Sequence, residues 1–262
     1  MSEETNNKIV LTKQTKLGTV RTYPKILLYN GRLHDFNPEN IGYEEPKPTR
    51  SGNLQVEPHY VLTMKNGAEH KVPVVLQLPN MKTKYGYSHS EKYNSHNIDV
   101  DFDKSTRGLL QCMEELDSAN KKACYKQRHI WFKNSNDITE DVLDFLFQGL
   151  VKCDGGSKRS HSSMVDNANA NDLLARKFLR LKINTYTREG TERMSLHCYG
   201  LNSTSESQTL ISASDITEGA GISTIVHFNK IFMGEKVYSC MNVKQIQLEN
   251  TGNLRGYGFV KN

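Results

Sequence analysis

The chain has 262 residues, 36% of them apolar, and carries 34 Lys and Arg against 29 Asp and Glu, a formal charge of +5. That length supplies a proper core without disulfide staples, and the charge favours an anionic partner while falling far short of a histone-like tail. No stretch is long and apolar enough to span a bilayer, the opening MSEETNNKIV lacks the basic and apolar segments of an export signal, and five scattered cysteines without a C-x-x-C pair argue against a secreted disulfide framework, so the expected location is intracellular.

Residues 1–18 read as a flexible arm, and Lys25-Ile-Leu-Leu-Tyr29 before Asn30-Gly31 reads as an apolar strand entering a turn. Prolines and glycines punctuate residues 35–55, which predicts a surface loop. Tyr60–Met64, then Asn66-Gly67, then Val72–Leu78 closing at Pro79 has the pattern of a tight hairpin, because Asn-Gly supplies the positive φ values the turn needs. Asn97-Ile-Asp-Val-Asp-Phe-Asp103 alternates strictly, placing three carboxylates on one strand face and Ile98, Val100 and Phe102 on the other.

The period then changes. Leu109, Met113, Leu116 and Ala123 recur at helical spacing, with Asp117 and Lys121 as an i,i+4 pair, and predict a helix from Thr106 to Lys126. Asp137 with Glu140 reads as a capping box opening a second helix that ends near Asp154-Gly155-Gly156. Residues 157–171 offer almost nothing to bury and predict a mobile loop. Strands return at Phe178–Tyr186, turning at Arg188-Glu-Gly190 into Arg193–Tyr199, and a last meander runs Ser223–Phe232 and Lys236–Leu248 before a flexible tail at 251–262. This order predicts an α+β protein, mostly antiparallel β, with residues 19–250 as one domain.

Motifs for chemistry are sparse. Asp99-Val-Asp-Phe-Asp103 lacks the glycine and the final glutamate of a calcium loop, and Gly155-Gly-Ser-Lys158 lacks the spacing of a phosphate loop. No histidine or cysteine spacing suits zinc, and no G-x-S-x-G elbow occurs. Nothing here calls for a cofactor or a metal, and the balance favours binding over catalysis. Two rivals stay open: a Mg²⁺-dependent nuclease using Asp99, Asp101 and Asp103, and an assembly protein that grips other proteins. The tail Arg255-Gly-Tyr-Gly-Phe-Val260 matches an RNA-recognition consensus, but too little chain follows it to complete that fold.

What remains is aromatic residues interleaved with bases, the composition that single-strand nucleic-acid binding uses: aromatic faces stack on bases while Lys and Arg track phosphates. Lys82, Lys84, Tyr85, Tyr87, Lys92 and Tyr93 form the densest run, placed in a loop after a strand. Trp131 with Lys133, and Arg176, Lys177, Arg180 and Lys182 around Phe178, repeat the combination, as do Phe228–Phe232 with Lys236 and Tyr238. Polar neighbours single out Tyr85, Tyr87 and Tyr93 for contact, whereas Trp131, Phe178 and Phe228 suit the core better.

Val75-Leu-Gln-Leu-Pro-Asn-Met81, the Tyr85-Gly86 step, Lys92-Tyr93 and the strand to Phe102 resemble the single-stranded-DNA-binding proteins of nucleocytoplasmic large DNA viruses, of the African swine fever virus type. The resemblance implies an OB-like β-barrel with its helix between the third and fourth barrel strands, and no enzymatic activity. It also implies binding of single-stranded DNA in viral replication or repair, in the cytoplasm or a viral replication compartment. RNA, self-association along the strand and replication proteins are further partners it allows.

Overall fold

The computed structural model describes residues 25–27, 33–64, 66–132, 135–154, 176–201 and 209–249. The arm, the 157–171 loop, the Asn30-Gly31 turn and the tail lie outside them. In chain order the strands begin with β1 (Lys25–Leu27), β2 (Leu33–Asp35), β3 (Ile41–Tyr43), β4 (Lys47–Pro48), β5 (Leu54–Val56) and β6 (Pro58–Thr63). The segment expected as a plain loop therefore contributes short strands. The Asn66-Gly67 turn then leads into β7 (Glu69–Ser90), which pairs antiparallel with β6 as the hairpin signal predicts.

β7 does not stop at Pro79. It runs 22 residues, and Pro79 falls where the ladder with the later strand β15 (Gly221–Met233) shifts register, between the Leu78–Thr224 and Met81–Ile222 pairs. A missing N–H costs little at such an irregularity. A second shift, between Thr83 and Gly86, lets β7 turn onto β8 (Ser95–Asp101). Gly86 has φ +74, and a Cβ there would lie 2.5 Å from the Ile216 carbonyl oxygen, because the 216–220 loop crosses the bulge and accepts from Tyr87 N. Only glycine fits this corner.

After β8 come the helices α1 (Arg107–Lys126), α2 (Arg128–Trp131) and α3 (Glu140–Leu146). α1 matches its predicted span and buries Leu109, Cys112, Met113, Leu116, Asn120 and Cys124 along one stripe. α3 is much shorter than its apolar run suggests. Its cap is Thr139, whose side chain accepts from Val142 N, and the chain turns extended at Phe147 to form β9 (Phe147–Gln148) and β10 (Val151–Cys153). Asp117 and Lys121 do not pair: Lys121 reaches Asp144, and Asp117 accepts from the Leu150 and Val151 amides. The remaining strands are β11 (Lys177–Ile183), β12 (Thr185–Arg188), β13 (Thr191–Met194), β14 (His197–Tyr199), β15 and β16 (Val237–Leu248).

Five strands close on themselves: β7 pairs β8, β8 pairs β11, β11 pairs β16, β16 pairs β15, and β15 returns to β7. Numbered along the chain the order is 1-2-3-5-4-1, antiparallel except for the parallel contact of β11 with β16. This is an OB-like Greek-key barrel in a mostly antiparallel α+β protein. Leu76, Leu78, Ile98, Val100, Leu179, Leu181, Val226 and Phe228 are among the residues that fill the core, none more than 1% exposed. The helices connect the second and third barrel strands, one connection earlier than expected. The third-to-fourth connection carries the β12–β13 hairpin and β14 instead.

Candidate nucleic-acid interface

Period-2 alternation decides what β8 and β11 show to the outside. Leu179, Leu181 and Ile183 point inward, so Phe178, Arg180 and Lys182 share the outer face, in register with Asp101, Asp99 and Asn97 of β8, although Phe178 is itself covered there and only 6% exposed. The three carboxylates of the alternating strand are all engaged. Asp99, 4% exposed, takes a two-pronged hydrogen bond from Arg180 Nε and an Nη at 2.9 and 2.7 Å. Asp101 accepts from Lys84 Nζ at 3.0 Å. Asp103 folds back on the residues ahead of α1, accepting from Ser105 N, Thr106 N and both hydroxyls. Among the described residues no group of three His, Cys, Asp or Glu could hold a metal ion. The arrangement does not favour a two-metal or Mg²⁺ nuclease.

The dense aromatic-basic run is strand rather than loop, since β7 continues through it. Lys82 is exposed and pairs in register with Asp101. Lys84 is clamped between Asp101 and Asp154, 2.8 Å from the latter, with its side chain 11% exposed. Burial works to lower its pKa, but the hydrogen bonds to Asp154 and Asp101 outweigh it and hold the ammonium above its ordinary value. Tyr85 is 57% exposed, its hydroxyl 3.4 Å from Asp154 Oδ1. Lys84 Nζ and the Arg180 guanidinium flank the Phe178 ring at 5.4 and 5.5 Å from its centroid, cation–π distances. Tyr85, Lys84, Phe178 and Arg180 thus form one strip.

The other residues singled out from sequence divide. Tyr87 is half-buried with its hydroxyl 2.7 Å from His96 Nδ1, and burial raises its pKa. Lys92 is exposed in a 3-10 turn at Glu91–Tyr93; the Tyr93 side chain lies outside the described residues, as does Lys133. Trp131 is 3% exposed, edge-on to Tyr43, with no face left for a base. Arg176 is exposed just ahead of β11, and Lys177 pairs with Glu114. Lys182 is exposed and makes no ion pair among the described residues.

Lys182 opens onto a cleft of about 430 Å³ on the outside of β11, β16 and β15. Lys152, Arg180 and Lys230 join it there, and no carboxylate among the described residues lines the cleft. Phe232 and Tyr238 form the apolar side, their ring centroids 6.4 Å apart and tilted by 40°, with Tyr238 41% exposed. The Gly149–Leu150 turn forms another wall, pinned from behind by Asp117 at 2.8 and 3.1 Å. Burial pushes the Asp117 carboxyl up to about 6, although the two amides and Lys152 work the other way. Lys152 donates to the Gly149 carbonyl at 2.6 Å, and burial lowers its pKa. Sequence reading misses Lys152 as a site residue, since it carries no aromatic neighbour. Lys230 sits between Phe228 and Phe232, a signal already visible in the sequence.

No protein-family model and no curated protein matches the chain. Among solved structures, the single-stranded DNA-binding protein from bacteriophage Enc34 aligns with a TM-score of 0.40 at 12% identity, over 83% of this chain and 97% of that one. Its C-terminal truncation gives 0.38 at 10% identity, over 82% and 97%. Likeness this loose transfers no function. The fold rests on the barrel's own strand order.

Proposed function

We propose that this protein binds single-stranded DNA without catalysing a reaction, laying the strand across the outer face of β11, β16 and β15. The observation that carries the reading is the cleft beside Phe232 and Tyr238, which no carboxylate among the described residues lines and where Lys182 and Lys230 make no ion pair among the described residues, while Lys152 is held by the Gly149 carbonyl and by Asp117. Lysines without carboxylate partners are positioned to take phosphates, and exposed rings to take bases. Exposed Lys82 and Tyr85 extend the same chemistry onto β7, whereas Arg180 is held by Asp99 and Phe178 is covered. Tyr85, Lys82 and Lys182 are the sequence-derived contacts this surface supports best. Protection and organisation of single strands during viral DNA replication or repair is the role that the sequence resemblance supports.

The test is fluorescence anisotropy of a labelled mixed-sequence single strand at two salt concentrations, beside duplex and RNA controls. Contacts from three or four cations predict a log–log salt slope of roughly −2 to −3, at about −0.7 per neutralised phosphate. Preference for the single strand with such a slope supports the reading. No binding to any of the three nucleic acids overturns it in favour of a protein partner.

A further inference from the structure

We infer that the cleft beside Tyr238 is a discrete seat for one nucleotide unit, base and phosphate together, and that it accepts a free nucleoside monophosphate. The inference rests on the single-strand reading and sharpens it from a groove to a subsite. Three observations carry it. First, a volume of about 430 Å³ falls in the range of small-molecule sites, roughly 300–1,000 Å³, whereas a groove that only tracks a backbone needs no such recess.

Second, the two chemistries of a nucleotide are spatially sorted. Phe232 faces Tyr238 across the β15–β16 ladder, and Lys230 faces Cys240 one step further along the same face. Two residues along a strand span about 7 Å, comparable to the reach from a nucleobase to its own phosphate. A base on the Tyr238 ring therefore puts its phosphate between Lys230 and Lys182. Third, the recess wall is pinned by contacts already made within the chain. A Cβ on Gly149 would lie 2.3 Å from Asp117 Oδ2, so the chain passes this carboxylate as closely as it can, and Asp117 holds the two amides that follow. A preformed wall loses little order when a ligand docks.

The experiment titrates dAMP into the full chain by calorimetry and, separately, uses dAMP to displace a labelled single strand, with deoxyadenosine and inorganic phosphate as controls at matched ionic strength. The expected result is saturable dAMP binding and competition at concentrations where neither control competes. Tyr238→Ala and Lys182→Gln should each raise the required dAMP concentration about tenfold. Both positions are exposed, and unchanged melting temperatures verify that the variants fold. If dAMP acts no better than inorganic phosphate while the single strand still binds, the nucleotide seat is overturned and the strand reading survives. If dAMP binds and Tyr238→Ala weakens it about tenfold while no strand binds, the seat stands and the strand reading falls. Binding of neither overturns both.

Discussion

A single lysine shows why a basic residue in the right neighbourhood is not automatically a phosphate contact. Lys84 is as conspicuous in the sequence as Lys82, yet Asp101 and Asp154 already occupy its ammonium. Asp101 is two residues from Asp99 and visible as part of the alternating strand, but Asp154 is far along the chain, and no local pattern announces that the two converge. Removing both carboxylates with Asp101→Asn and Asp154→Asn should free the ammonium. If Lys84 can then reach the strand, affinity at low salt rises several-fold, up to about tenfold, and the salt slope steepens by about 0.7. A fall in melting temperature with unchanged affinity would instead make Lys84 a structural clasp between β7, β8 and the end of β10. Lys182 provides the opposite case, since no carboxylate among the described residues shields it. Lys182→Ala should weaken strand binding and reduce the slope by a similar amount, checked by the same anisotropy titration.

Local patterns are most readable at the level of elements where one face is buried. The alternation of β8, the helical stripe of α1 and the Asn66-Gly67 hairpin all follow from periodicity and turn chemistry. The pattern misleads where tertiary pairing overrides a local signal: Pro79 looks like a strand end but sits at a register shift, and the apolar run after Glu140 divides between α3, β9 and β10. Asp117 is the clearest instance. An i,i+4 partner for Lys121 in sequence, it instead anchors the turn that walls the cleft, and this role gives it a measurable signature. Its folded pKa, about 6, lies above the usual carboxylate value near 3.8. The folded state therefore holds a proton that the unfolded chain has released between these values, so the contribution of this group to stability is fully present below about pH 4 and is lost as pH rises through 6. The loss from this group is about 3 kcal/mol by pH 7. Urea denaturation across pH 4 to 7 should show the natural chain losing stability relative to Asp117→Asn as pH rises, on top of the opposite contribution of Asp103, whose hydrogen bonds from Ser105 and Thr106 lower its pKa against the effect of burial. Identical profiles would remove Asp117 as the source. Gly149→Ala should destabilise by about 1 to 3 kcal/mol through displacement of the same carboxylate.

The closure of the barrel is the least legible feature at the scale of the whole molecule, because it depends on the parallel meeting of β11 and β16, strands separated by a hairpin, a short strand and β15. Nothing in either sequence segment specifies that partner. Yet closure is what makes the cleft: Lys182 comes from β11, Tyr238 from β16, Lys230 from β15 and Lys152 from β10, which joins the barrel by pairing with β11. A ligand held by these strands binds the closed barrel and has no equivalent site on the unfolded chain. At one hundred times its dissociation constant, a single strand should stabilise the fold by about 2.7 kcal/mol, which for a chain of this size raises the melting temperature by roughly 5 to 10 °C. Thermal melts with and without a saturating oligonucleotide measure this directly. Lys182→Ala and Tyr238→Ala should shrink the shift at fixed ligand concentration in step with their lost affinity. Saturated binding with no shift would mean that the strand is held by segments that survive or ignore barrel unfolding, and the interface would then have to be sought away from β11, β16 and β15.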